Sequence, residues 1–104
     1  MTKNIETIEL VLFKALADNT EEEVRSSLES LNPILSSYKG FVSRKIALSD
    51  SGQWMDLVHW ESLEDAKHAS DDIMKKEEAL KAFSVIDQDT MQFLHLKPQS
   101  SFSE

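Results

Sequence analysis

Apolar and polar positions alternate at the start of the chain and then crowd together: IETIELVLF, residues 5 to 13, puts Ile8, Leu10 and Leu12 on one face of a strand and Glu9, Val11 and Phe13 on the other. Neither set is a plain solvent face, so the pattern predicts a strand covered on both sides toward its end. The period then changes. Thr20 with Glu23 three residues on forms a capping box, and Val24, Leu28, Leu31, Leu35 and Tyr38 recur at helical spacing as one apolar stripe. Pro33 lies inside that stripe and removes a backbone donor, which predicts a kink or break near Asn32. Gly40 supplies a left-handed stop.

Alternation returns in FVSRKIALS, residues 41 to 49, where Val42, Ile46 and Leu48 oppose Phe41, Ser43, Lys45 and Ala47. A turn through Ser49, Asp50, Ser51 and Gly52 leads into QWMDLVHWE, so the two runs read as an antiparallel hairpin. On its second strand Trp54, Asp56, Val58 and Trp60 point one way, and Met55, Leu57 and His59 the other. Ser62 caps a second helix with Asp65 three residues on, its apolar positions being Leu63, Ala66, Ala69, Ile73 and Met74. Helical spacing resumes at Ala79, Leu80 and Phe83 after a bend expected near Met74. Residues 89 to 97 read as a last strand, ended by Pro98.

The order strand, helix, strand, strand, helix, strand is the ferredoxin-like βαββαβ arrangement of the α+β class. Right-handed crossovers place both helices on one face of a four-stranded antiparallel sheet of order 4-1-3-2. The other face then needs a cover. Assigned to it by parity are Val11, Phe13, Trp54, Val58 and Trp60, together too apolar for water.

Composition narrows the class of partner. The 104 residues form a single domain over 1–97 with a polar tail over 98–104. A net charge of -8 with scattered basic residues argues against a nucleic-acid partner. No apolar run approaches the roughly 20 residues of a membrane span, and the amino terminus has no signal-peptide pattern, so a cytoplasmic location is expected. The absence of cysteine removes disulfides, thiolate nucleophiles and cysteine metal ligands. The three histidines lack short ligand spacing, and with only two glycines there is no phosphate loop; neither metal nor cofactor is expected.

The segments KGFVSRKIALSD and DLVHWESLEDAKHA, the latter a strand-to-helix junction through Trp60, Glu61, Ser62 and Ala66, resemble the dimeric α+β barrel proteins, and within them the antibiotic biosynthesis monooxygenase-like domains. The likeness in pattern runs from about Glu6 to Leu96. It implies a homodimer in which two sheets pack face to face, with room for a small aromatic or polyketide-like ligand. It also implies an activity such as cofactor-independent monooxygenation. Haem-degrading members place a tryptophan and a histidine at intervals after the WES junction that fall here on Ala69 and Ala79, so the resemblance does not extend to haem chemistry.

Candidate chemistry is confined to few residues. Glu9 and Asp56 belong to neighbouring strands and one face, where two close carboxylates could share a proton for acid/base work, or lie at the rim paired with Arg44 or Lys45. Trp54, Trp60 and Phe13 could stack on a flat ligand or serve only as packing. His59 has the parity of the helix side, His68 lies on a solvated helix, and His95 is the general base if it faces inward, which parity leaves open. An oxygenase of this kind needs one base, and His95, Glu9 and Asp56 are the candidates. Two functions stand side by side: a small-molecule enzyme, or a non-catalytic dimeric binding or stress-related module whose interior is filled by Trp54, Trp60 and Phe13. A void of several hundred Å³ distinguishes them.

Overall fold

The computed structural model describes residues 6–103. Its elements are β1 (Thr7–Ala15), α1 (Glu21–Glu29), α2 (Asn32–Ser36), β2 (Phe41–Leu48), β3 (Gln53–Trp60), α3 (Leu63–Ile73), α4 (Glu77–Ala82), a 3-10 turn (Phe83–Val85) and β4 (Ile86–Leu96). The sheet order is β2-β3-β1-β4 with every neighbouring pair antiparallel, which is the expected ferredoxin-like topology. The expected start of the first strand at Ile5 lies outside the described residues. No helix among the described residues is long and apolar enough to cross a membrane.

Each helical connection is interrupted where the sequence breaks its period. Thr20 caps α1 in a complete capping box, its hydroxyl accepting from the Glu23 N–H at 3.1 Å while the Glu23 carboxylate accepts from the Thr20 N–H at 2.8 Å. The helix stops at Glu29, and Pro33 falls in the first turn of α2, where a missing N–H costs nothing. In the second connection Ser62 caps α3 through the Asp65 N–H, and the chain leaves α3 at Met74 before α4 begins. Residues 83 to 85, expected to stay helical, tighten into the 3-10 turn, and β4 starts at Ile86 rather than 89.

Helices and sheet meet through residues of unequal size. Trp60 and Val58 from the sheet are buried with Ala66, Ala69, Ala79 and Ala82 and with Leu31 and Leu35, while Phe13 is buried with Val24, Leu28 and Trp54. This overturns the expected assignment of faces. Trp54, Asp56, Val58 and Trp60 of β3, with Glu9, Val11 and Phe13 of β1, point toward the helices and not toward a second subunit. Met55, Leu57 and His59 lie on the open face with Ile8, Leu10 and Leu12, half-buried. Volume fits this arrangement: the alanines of α3 and α4 leave room that the Trp60 ring occupies.

Two irregularities adjust parity at the sheet edges. The β2 register shifts between Phe41↔Trp60 and Ser43↔His59, a bulge that brings Phe41 to the helix side and turns Val42, expected in the core, outward at 49% exposure. Phe41 then meets Trp60 edge to face at 5.8 Å. On β4 the register jumps from Leu12↔Gln92 to Lys14↔Asp87, so Gln88 to Met91 bulge opposite Phe13. The Thr90 hydroxyl fills the broken ladder, accepting from the Lys14 N–H at 2.8 Å and donating to the Asp87 carbonyl at 2.7 Å.

The WES corner is tied down from two directions. The Glu61 N–H donates to the Gly40 carbonyl at 2.8 Å, and Gly40, at φ 87°, has the Asp65 carboxylate where a Cβ would stand. Nearby the Tyr38 hydroxyl donates to Asp72 at 2.7 Å and clips the end of α2 to α3.

Replacing Gly40 with Ala should therefore cost about 2 kcal/mol or more in urea unfolding, from the left-handed backbone alone before the clash with Asp65 is added. Tyr38 supplies a second check. Burial and its hydrogen bond to Asp72 push its hydroxyl up to about 12, against roughly 10 in the unfolded chain. A raised folded value means that the native state holds the proton longer, so this contribution is intact below about pH 10 and lost as pH rises toward 12. Tyr38 is the single tyrosine, so tyrosinate absorbance in an alkaline titration reads it directly, and Asp72→Asn should return the midpoint toward 10.

Candidate active site

Because the helices break above the sheet, they do not seal it. A cavity of about 430 Å³ lies between the two layers, walled by Val11, Phe13, Val58 and Trp60 from the sheet, Leu31, Leu35, Ala69 and Ile73 from the helices, and Phe83. Its volume falls in the range of small-molecule sites. The mouth lies between the α3–α4 break and β4, where Met74, Leu80, Met91 and Phe93 line it while remaining 39–54% exposed.

Polar groups on this wall are few, and most are committed. Glu9 of β1, 8% exposed, lines the cavity. Its Oε2 faces two groups: the Ser70 hydroxyl of α3 at 2.6 Å and Nε2 of His95 on β4 at 3.0 Å. An ionised carboxylate only accepts, so the contact with His95 requires its Nε2–H form. The Ser70 hydroxyl also lies 2.9 Å from the Ala66 carbonyl, and the two acceptors share its one proton. Oε1 of Glu9 has no hydrogen-bond partner among the described residues.

The second carboxylate is held differently. Asp56 accepts from Arg44 at 2.9 Å through Nε and 2.6 Å through Nη2, a two-pronged pair with side chains 4% and 12% exposed. Arg44 Nη1 donates further to the Leu28 carbonyl at 2.7 Å and to the Asn32 side chain at 2.9 Å, fastening the α1–α2 break to the sheet. Glu9 and Asp56 thus share a wall without sharing a proton, because each is engaged with its own partner.

The remaining expected residues divide. Trp60 and Phe13 line the cavity, fully buried, and the Trp60 indole N–H has no partner among the described residues. Trp54 instead stacks on Phe13 at 6.5 Å and borders a separate outer groove with Glu21, Arg25 and Asn32. His95 stands beside Glu9, edge-on to Phe93, and its side chain is 20% exposed. His59, expected on the helix side, lies on the open face 3.2 Å from Glu6. It pairs with Ile8 on the side of the sheet that the helices do not cover. Ser70 was missed, although a serine beside Ala66, Ala69 and Ile73 in an apolar helix stripe is a signal that a buried acceptor waits opposite.

No family model matches the sequence, and no curated protein matches it either. Solved structures do match over nearly the whole chain. An alanine mutant of SnoaB, a cofactor-independent oxygenase from Streptomyces nogalater, superposes with a TM-score of 0.75 at 11% identity, covering 95% of this chain and 98% of that one. A monooxygenase from the gene ActVA-Orf6 of Streptomyces coelicolor, solved in complex with nanaomycin D, gives 0.72 at 14% identity, covering 96% and 93%. The resemblance to antibiotic biosynthesis monooxygenase-like domains therefore holds at the level of the fold.

The Arg44–Asp56 pair can be tested apart from any activity. Arg44→Met alone strands a buried carboxylate and should lower stability by about 3–5 kcal/mol in denaturant unfolding, whereas the double change with Asp56→Leu should recover most of that loss.

Proposed function

We propose that the protein is a cytoplasmic homodimeric enzyme that binds a small aromatic molecule in the cavity and removes a proton from it with Glu9, as a cofactor-independent monooxygenase. The observation that carries this reading is a buried carboxylate at the wall of a 430 Å³ apolar cavity, with both of its partners on one oxygen. Ser70 and His95 fix the carboxylate, and the other oxygen is left to meet a ligand. Of the three candidate bases, Asp56 is neutralised by Arg44, and His95 stands behind Glu9 and is not part of the cavity wall.

The chemistry asks little else of the protein. Proton abstraction from an activated methylene or phenol leaves an electron-rich anion that can reduce dioxygen itself; in balance, a methylene and one dioxygen give a carbonyl and one water. Trp60 and Phe13 would set the plane of the ring. The likeness in fold supports this reading: SnoaB is a cofactor-independent oxygenase, and the Streptomyces coelicolor protein is a monooxygenase. The rival reading, a barrel filled by its own side chains, has the cavity against it.

The open face supports dimerisation. Ile8, Leu10, Leu12, Met55 and Leu57 form its centre, with Leu94 and Leu96 44% and 39% exposed beside them. Two such faces packed together would remove that surface from water at roughly 25 cal/mol per Å², before association costs.

With a tricyclic anthrone as probe, wild-type protein should consume dioxygen and Glu9→Gln should lose at least about a hundredfold in rate while still binding the probe without oxygen. Turnover in Glu9→Gln equal to wild type would remove Glu9 as the base. Sedimentation should give a dimer at micromolar concentration, and Leu10→Lys should dissociate it; a wild-type monomer would overturn the assembly.

A further inference from the structure

The cavity's charge inventory is unbalanced in one direction. Its polar lining consists of Glu9, Arg44, Asp56, Ser70, Ser84 and Gln88. Arg44 is the single basic residue among them, and its charge and four of its N–H groups are taken by Asp56, the Leu28 carbonyl and Asn32. Ser84 donates to the Lys81 carbonyl at 2.6 Å, and Ser70 spends its proton on Glu9 and Ala66. Gln88 is exposed at the rim. What remains unpartnered in this wall among the described residues is Oε1 of Glu9 and the indole N–H of Trp60, a neutral donor on a fully buried atom.

We infer that the cavity selects an uncharged ligand that carries a hydrogen-bond donor, and turns away ligands bearing a carboxylate. A second anion would enter apolar surroundings beside Glu9 with no free cation among the described residues of the lining to meet it, and like charges in such a setting repel strongly. Even an imidazolium at His95 only matches the charge that Glu9 already has. A hydroxyl, by contrast, donates to Oε1 and completes the carboxylate's coordination. If its proton then passes to Glu9, the total charge within the cavity is unchanged, so the rule that governs entry does not oppose the chemistry. This selectivity rests on the cavity being the ligand site proposed above, but not on oxidation taking place there.

Three probes of one ring system separate the terms: 2-naphthol, uncharged with a donor; 2-methoxynaphthalene, uncharged without one; and 2-naphthoate, an anion. Calorimetric titration of the full chain near neutral pH and without oxygen should give naphthol the tightest binding, with methoxynaphthalene at least about threefold and naphthoate at least about tenfold weaker. Glu9→Gln, whose amide can donate to a carboxylate, should bring naphthol and naphthoate within about threefold of each other. Naphthoate binding as tightly as naphthol to wild type, a ratio unmoved by Glu9→Gln, or no binding of any probe would each overturn the inference. Methoxynaphthalene equal to naphthol would overturn its donor half. Should Glu9→Gln not fold, the wild-type order alone decides. A correct order with no dioxygen uptake from any aromatic probe would leave the selectivity standing and sink the oxygenase reading.

Discussion

The gap between a sheet and helices that are too short and too finely lined to cover it governs most of this structure. Both helical connections break in the middle, one between Glu29 and Asn32 and one after Met74, and the face presented by the second is rich in alanine. Tryptophan and phenylalanine on the sheet reach part of the way, and the rest is cavity. Which face of the sheet is buried, where an opening can form and which polar groups line it all follow from that mismatch in size. Filling it with larger helix residues would give a tighter core and no site.

Within that gap two carboxylates are buried on adjacent strands, and the fold treats them in opposite ways. Asp56 is matched by a guanidinium that also fastens the α1–α2 break, so its charge is spent on architecture. Glu9 is matched only by weaker donors and keeps one oxygen unengaged. The cost of burying an ion is thus met fully at one position and partly at the other. The partly met one is where a ligand would have something to gain.

How much of this was legible in the sequence depends on the range over which each residue acts. Caps and breaks are local, and Thr20 with Glu23, Ser62 with Asp65, Pro33 and Gly40 all act within a few positions of themselves. Strand order followed from element order and handedness. The inner face was not legible, because β1 carries an apolar set of either parity and alternation says which residues share a side without saying which side is covered. The β2 bulge then exchanged Phe41 for Val42, a one-residue change that no period reveals. Glu9 meets Ser70 and His95 across 61 and 86 residues, contacts that exist only once helix and sheet are in place.

The bulge in β4 has a bearing on how copies of this chain can meet. β4 is an edge strand, and a regular edge offers a row of unpaired amides and carbonyls on which another strand can build without limit. From Gln88 to Met91 that row is interrupted, and Thr90 and Asp87 turn part of its hydrogen-bonding capacity inward. Growth of the sheet sideways into a fibre is thereby discouraged at the edge that borders the cavity mouth. The same bulge that borders the cavity mouth leaves this edge a poor template for an added strand.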